Sequence, residues 1–249
     1  MLKPVFVVLL LAAVANAGLP LPSIIKPCAR SDPNFNDCAL QHGKETLPYF
    51  VKGDRNYNIP KMDPLEITEM SVSDGPSQSG FSINFRDVKM YGLKDASAEK
   101  VEYDFDQKHV LYGIRVPALT ILGKYEISGR ILVLPITGKG DVNITLLDNG
   151  LTFSFDYVFE YRDGERYYMS KNHKAVVEPS KAFYRFTNLF NGDKLLGTQM
   201  NEFMNENWRE VYKSMSPSIS EAFAQVIGII MNRVSALVPF DVIYPETIP

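Results

Sequence analysis

The stretch that decides the predicted fold lies near the C-terminus, at residues 200–237: MNEFMNENWREVYKSMSPSISEAFAQVIGIIMNRVSAL. Its apolar residues recur at the i, i+3 and i+4 spacing that places them on one face of an α-helix. A continuous helix of about 38 residues would span roughly 57 Å. An apolar rod of that length must be covered, and the strand-rich region before it is the candidate cover.

Pro217 interrupts the helical pattern and leaves two alternatives open. Proline removes one helix hydrogen bond, so the helix is kinked or broken there. Alternatively, Ser216 caps a second helix whose first residue is Pro217. After the proline, residues 222–231 are apolar nearly all round, which predicts that this part of the helix is buried on all sides.

Alternating apolar and polar residues fill the region before the helix and predict a strongly curved antiparallel sheet. Glycine-containing pairs predict turns at residues 138–140, at Asn149-Gly150 and at Asp163-Gly164. Pro117 predicts an edge or a bend between two strands. The predicted strands cover Leu65–Ser73 and residues 81–85, 101–105, 110–116, 119–122, 125–134, 142–146, 151–161 and 167–177. The predicted fold class is α+β, with the sheet wrapped on the long C-terminal helix.

Residues 1–17 are predicted to be a signal peptide. Lys3 precedes an apolar run over residues 5–15, and Ala15-Asn16-Ala17 has the small-x-small form of a cleavage site. A membrane anchor is the alternative, but the run is shorter than the ~20 residues of a transmembrane helix. No repeat or linker divides the rest, so residues 18–249 are expected to form one domain in a soluble, secreted, extracellular protein.

The charge balance excludes several classes of partner. The formal net charge is −3 and no basic stripe is present, which argues against nucleic acid and against a polybasic membrane-surface role. No later segment is long and apolar enough to cross a bilayer, so no integral membrane association is expected. A monomer is expected.

Two cysteines, Cys28 and Cys38, are predicted to form a disulfide, because close pairs in secreted chains usually bridge. A redox or metal role is the alternative, and their spacing does not favour it. Asn143 begins an N-x-T triplet and is the predicted glycosylation site if it lies on the surface. Such triplets also occur by chance.

Recognisable catalytic chemistry is missing from the sequence. His42, His109 and His173 are not spaced as metal ligands, and no serine-esterase, phosphate-loop or dinucleotide motif is present. We therefore expect no enzymatic activity, no catalytic residues, no metal and no cofactor.

Motifs spread over the chain are similar to those of the insect takeout / juvenile-hormone-binding protein family. They are Val116-Pro117-x-Leu119, Gly123-Lys124-Tyr125, Gly129, Leu134-Pro135, Gly138-x-Gly140, Leu189-Phe190-Asn191-Gly192-Asp193, Asn205-Glu206-Asn207-Trp208 and Val238-Pro239, together with the early cysteine pair. The resemblance covers essentially the whole mature chain. The chain lacks the second cysteine pair usual in haemolymph juvenile-hormone carriers, and therefore resembles the takeout branch more closely.

This resemblance implies the fold of the tubular lipid-binding proteins, with an apolar tunnel between the helix and the curved sheet. The implied partner is a small lipophilic ligand, either a terpenoid hormone such as juvenile hormone or a fatty-acid-like lipid. Feeding-related and circadian roles, and a location in haemolymph or another extracellular fluid, are compatible with such a carrier. Tyrosine hydroxyls are plausible groups for orienting the ligand.

The candidate lining residues lie on the two apolar surfaces that must face each other. From the sheet they are Phe85, Tyr103, Phe105, Ile127, Ile131, Val133, Phe153, Phe155 and Tyr157; from the helix they are Met200, Phe203, Met204, Trp208, Phe223, Ile227 and Ile230. Ordinary core packing is the alternative explanation for each of them.

The alternative function for the whole protein is a secreted module that binds lipid surfaces or a cell-surface receptor and carries no ligand.

Overall fold

In the computed structural model, which describes residues 18–73 and 81–248, a seven-stranded antiparallel sheet faces a long C-terminal helix. The predicted signal peptide, residues 1–17, lies outside these described residues. The strands are β1 (Leu65–Ser73), β2 (Ser82–Tyr91), β3 (Ser97–Asp104), β4 (His109–Ile131), β5 (Leu134–Arg162), β6 (Glu165–Glu178) and β7 (Lys181–Phe186). The helices are α1 (Phe35–Lys52), α2 (Lys194–Glu206), α3 (Trp208–Ser235) and the short α4 (Phe240–Ile243).

The two central strands, β4 and β5, are long enough to change neighbours along their length. The sheet order is β1-β2-β4-β5-β6, with β3 on the first part of β4 and β7 on the first part of β5. β1 and β6, at the two ends of this order, both contact α3. The sheet therefore curves around α3 and brings its inward face against the helix, as the alternation of its residues predicts.

Pro117 does not separate two strands, so the predicted boundary between residues 116 and 119 is wrong. β4 continues through it because Val116 pairs with Asn149, and Ala118 with Leu147, in the same register. Pro117 lies between the part of β4 that pairs with β3 and the part that pairs with β2. The predicted edge is confirmed, because no strand among the described residues pairs with that segment of β4 from the other side, and a residue without a backbone N–H is tolerated there.

Two of the three predicted turns are wrong, because β5 runs without a break through residues 138–140 and through Asn149-Gly150. Asn149 is fully buried, and its side-chain Nδ2 donates to Val116 O at 3.1 Å and to Leu146 O at 2.9 Å. Asp148, with φ 47°, lies opposite Pro117, where no pair forms. Long-range pairing with β4 overrides the local preference of Asn-Gly for a turn.

The β4–β5 hairpin turns instead at Leu132-Val133, inside the region predicted as one strand over residues 125–134. Leu132 has φ 56°, a conformation that normally selects glycine at this position of a two-residue turn, and the usual signal was therefore absent. The third prediction is confirmed: Asp163 and Gly164, with φ 51° and 83°, connect β5 to β6.

The C-terminal helix does not break at Pro217, which lies inside α3. The hydroxyl of Ser216 donates to Lys213 O at 3.2 Å, the carbonyl that loses its partner to the proline. The break falls at Asn207, between α2 and α3. α2 begins earlier than the predicted helix, at Lys194, because Asp193 caps it by accepting from Leu196 N at 3.0 Å.

The prediction that residues 222–231 are buried on all sides is wrong. Ala224 and Gly228 are buried against the sheet, whereas Ile229 is 56% exposed. An open sheet covers a helix from one side only, so the apolar residues on the far side keep contact with solvent.

Three asparagine side chains from the helices pair with the free edges of β6 and β7. Asn201 and Asn205 on α2 each accept from a backbone N–H of β7 and donate to the carbonyl of the same residue, at 2.7–2.9 Å. Asn232 on α3 does the same with Ser170 on β6, at 2.7 and 3.1 Å. These amides complete hydrogen bonds that a neighbouring strand would otherwise make, and they fix the helices to the sheet.

Candidate functional site

The inward face of the sheet and the buried face of the helices enclose two apolar clusters. The larger apolar cluster is built from β1, β2, β4, the first part of β5, the end of β6, β7, α2 and the first half of α3. The aromatic cluster is built from β4, β5, β6, the second half of α3 and α4, and its rings include Phe153, Phe155, Tyr157, Tyr168 and Phe240. Together the clusters occupy the region between the sheet and α3.

Most of the predicted lining residues lie in these clusters. The larger apolar cluster contains Phe85, Ile127, Ile131, Met200 and Met204 as buried members and Phe203, Trp208 and Phe223 as partly buried ones. The aromatic cluster contains Phe153, Phe155 and Tyr157 as buried members and Tyr103, Phe105 and Ile227 as partly buried ones. Period-2 alternation in the strands and helical spacing in α2 and α3 thus place them on inward faces.

Two predicted lining residues lie elsewhere. Val133 is 80% exposed because it occupies the β4–β5 turn, where no strand alternation operates. Ile230 is partly exposed and belongs to neither cluster, because α3 is covered from one side only.

Three tyrosine hydroxyls lie close together beside the aromatic cluster. The Tyr103 hydroxyl contacts that of Tyr112 and lies 2.8 Å from that of Tyr244. Phe35 of α1 packs edge-on against Tyr103, with 5.2 Å between ring centroids. Burial raises the pKa of Tyr103, Tyr112 and Tyr244 above the ordinary value, so these hydroxyls stay protonated. Tyr112 and Tyr244 were not predicted, and Tyr244 lies after the last periodic element, where the sequence carries no signal.

A second polar group lies where β6 meets α3. His173 Nε2 is 2.7 Å from Ser170 Oγ, which donates to Asn232 Oδ1 at 2.8 Å. The paired backbone contacts of Asn232 with Ser170 fix the orientation of its amide. The serine hydroxyl proton is therefore used on Asn232, and His173 donates to Ser170, which is opposite to the arrangement that activates a serine nucleophile.

No residue that is buried as a whole in the described chain carries a charge, and the guanidinium of Arg30, with its Nε buried, lies over the Phe240 ring at the border of the aromatic cluster. Among the described residues, the buried polar or charged side chains are Thr46, Asn149, Ser170 and Ser235, all uncharged. Burial lowers the pKa of His173, which favours its neutral form. Such an interior accepts uncharged apolar molecules and penalises ions.

The outer surface of the sheet has different chemistry. A concavity of about 430 Å³ is lined by residues including Lys124, Asp141, Asn143 and Arg185, and another of about 810 Å³ lies between β7 and α2. Asn143 is exposed on this outer face, where a glycan would meet solvent.

Cys28 and Cys38 form the predicted disulfide beside His42, so their sulfurs are not available as thiolate ligands. In the described chain, no helix has the length and apolar character of a membrane span.

Comparison with known proteins gives one family and one fold. The family model described as haemolymph juvenile hormone binding protein matches residues 5–245. The circadian clock-controlled protein daywake of Drosophila melanogaster is 26% identical over 91% of this chain and 88% of its own length, and daywake of Drosophila yakuba is 24% identical over the same shares. The crystal structure of Epiphyas postvittana Takeout 1 superposes with a TM-score of 0.77 at 27% identity, covering 89% of this chain and all of that one.

Proposed function

The chain belongs to the haemolymph juvenile hormone binding protein family, and from this premise we propose that it is a secreted carrier that holds a small lipophilic ligand between the curved sheet and α3. The observation that carries the proposal is the uncharged interior. Two apolar clusters follow one another along α3, and none of the buried side chains in the described residues is ionised.

Apolar contact alone supplies enough free energy for such a carrier. Burying about 400 Å² of ligand surface at about 25 cal/mol per Å² contributes roughly 10 kcal/mol before the costs of association. Micromolar to nanomolar binding corresponds to about 8–12 kcal/mol. The protein therefore needs no charged anchor, and one or two hydrogen-bonding groups suffice to orient the ligand.

The adaptable members of the interior come from the helices. Met200 and Met204 of α2 are buried in the larger apolar cluster, and Met215 of α3 packs against it. Unbranched methionine side chains change rotamer readily and fit ligands of irregular shape. We propose a monomeric carrier in extracellular fluid, with a terpenoid or a fatty-acid-like lipid as cargo.

The test is displacement of N-phenyl-1-naphthylamine, whose fluorescence rises in apolar surroundings. The purified protein is expected to enhance the emission with one saturable site, and unlabelled terpenoids or fatty acids are expected to reverse the enhancement. Co-sedimentation with anionic vesicles tests the alternative of a lipid-surface module. Strong vesicle binding without saturable probe uptake would overturn the carrier proposal.

A further inference from the structure

One buried hydroxyl inside the larger apolar cluster has no hydrogen-bond partner. Tyr184, on β7, is only 4% exposed, and its Oη contacts no acceptor or donor within hydrogen-bond range among the described residues. Burial, with a smaller contribution from the neighbouring Tyr212, raises the pKa of Tyr184 far above the usual value. The group is therefore a protonated, unused donor.

The backbone of Tyr184 is held in place. Its N–H donates to Asn205 Oδ1 at 2.9 Å, and its carbonyl accepts from Asn205 Nδ2 at 2.7 Å. On the other side of the strand, Tyr184 pairs with Ile144 of β5. These contacts hold the backbone of β7, and Tyr184 faces inward because it alternates with the exposed Phe183 and Arg185.

Two other buried tyrosines in the larger apolar cluster use their hydroxyls. Tyr212 donates to Val177 O at 2.6 Å, and Tyr125 donates to Thr187 O at 2.6 Å. Buried polar groups in folded proteins are nearly always hydrogen-bonded, because an unpaired one loses its bonds to water without replacement. Arg30 Nε and Asn149 Oδ1 are also buried without a partner among the described residues, but of the three groups only the Tyr184 hydroxyl belongs to an apolar cluster, where an oxygen of a bound molecule would supply the missing acceptor.

We propose that the Tyr184 hydroxyl donates a hydrogen bond to an uncharged oxygen of the carried ligand, such as that of an ester, ketone or epoxide. This inference rests on the proposed carrier function. An ionised carboxylate is disfavoured, because no buried lysine or arginine in the described residues could pair with it. Met200 and Met204 lie in the same cluster, and a change of their rotamers can make room for the ligand.

The experiment compares three sesquiterpenoid probes that share a carbon skeleton: farnesene, methyl farnesoate and farnesoic acid. Their affinities are measured for the wild type, for Tyr184→Phe and for the matched control Tyr212→Phe. We expect the wild type to bind methyl farnesoate more tightly than farnesoic acid above pH 6. Tyr184→Phe should weaken methyl farnesoate binding by roughly threefold to tenfold and leave farnesene binding unchanged.

A thermal measurement without ligand separates this role from a structural one. Tyr184→Phe removes an unpaired hydroxyl and should keep or raise the melting temperature, whereas Tyr212→Phe loses the bond to Val177 and should lower it. Equal effects of Tyr184→Phe on farnesene and methyl farnesoate, or tighter binding of the acid than of the ester, would overturn the Tyr184 assignment alone. A wild-type protein that takes up N-phenyl-1-naphthylamine but binds none of the three would overturn the assignment alone, whereas one that takes up neither this probe nor any of the three would overturn the carrier function as well.

Discussion

At the scale of single residues, Ile227 and Ile229 show how sharply α3 divides inside from outside. Ile227 packs against the aromatic cluster, whereas Ile229, two positions later, is 56% exposed. The two side chains are chemically identical and lie on the same helix. They form a matched pair for testing which face of α3 meets the ligand.

Ile227→Asp should abolish probe uptake, because an unpaired carboxylate would lie among aromatic rings. Ile229→Asp should leave uptake within about twofold of the wild type, because exposed substitutions rarely matter. Probe fluorescence measures both variants, and circular dichroism separates lost binding from lost folding. Unchanged uptake by a folded Ile227→Asp protein would show that this face lies outside the binding space.

His173 gives a prediction about pH. Burial lowers its pKa below the ordinary 6.5, so the unfolded chain binds the proton more readily than the folded one. This histidine therefore has no effect on stability well above pH 6.5 and decreases stability as the pH falls through 6.5 and below. NMR titration of the imidazole should give a pKa under 6.5, and His173→Gln should reduce the loss of stability between pH 7 and 5. A measured pKa at or above 6.5 would contradict the burial argument.

The sequence predicts individual interior residues well only where a regular period operates. Phe153, Phe155 and Tyr157 alternate within a long strand and all face inward. Val133 belongs to the same apolar pattern but occupies a turn that leucine, not glycine, introduces. Tyr184 was not predicted because β7 has only six residues and the apolar Phe183 on its exposed side hides the alternation of buried and exposed positions.

At the scale of elements, asparagine side chains form the hydrogen bonds that a neighbouring strand would otherwise make at the free edge of β7. Asn201 and Asn205 are four residues apart on α2, which corresponds to a rise of about 6 Å along a helix. Their partners, Phe186 and Tyr184, are two residues apart on β7, which corresponds to about 6.8 Å along a strand. Because these spacings nearly match, both amides reach a backbone N–H and carbonyl on the unpaired edge of β7 at the same time.

Asn205→Ala should destabilise the protein by about 1–3 kcal/mol, because it leaves the N–H and carbonyl of Tyr184 without their partners. Glu206→Ala, at the exposed neighbouring position, is the control and should change stability by less than about 0.5 kcal/mol. Urea unfolding measures both. Equal stabilities for the two variants would show that the amide pairing contributes nothing.

Residues that normally end a strand or a helix were misleading where the fold replaces the hydrogen bonds that they lose. The replacement comes from long-range strand pairing or from a neighbouring hydroxyl. Asn149-Gly150 and the glycines at 138 and 140 favour turns, yet each lies in β5 because each pairs directly with a residue of β4. Pro217 favours a helix end, yet Ser216 supplies a replacement donor to Lys213. Such compensation depends on the whole fold and is not visible in a short window of sequence.

At the scale of the whole molecule, both ends of the sheet are tied to one helix. Ser218 Oγ on α3 donates to Ser73 O of β1 at 2.6 Å, and Asn232 pairs with Ser170 of β6. The sheet therefore wraps α3 and is held at both edges. The α+β class and this wrapped arrangement followed from the long apolar helix, which had to be covered by the strands before it.

The most direct test of the carrier account is native mass spectrometry of the protein secreted from insect cells, combined with organic extraction of what co-purifies. The account predicts a stoichiometric adduct of an uncharged lipophile, retained by Ile229→Asp and lost in Ile227→Asp. A ligand-free mass that stays unchanged when terpenoids and fatty acids are added would contradict it.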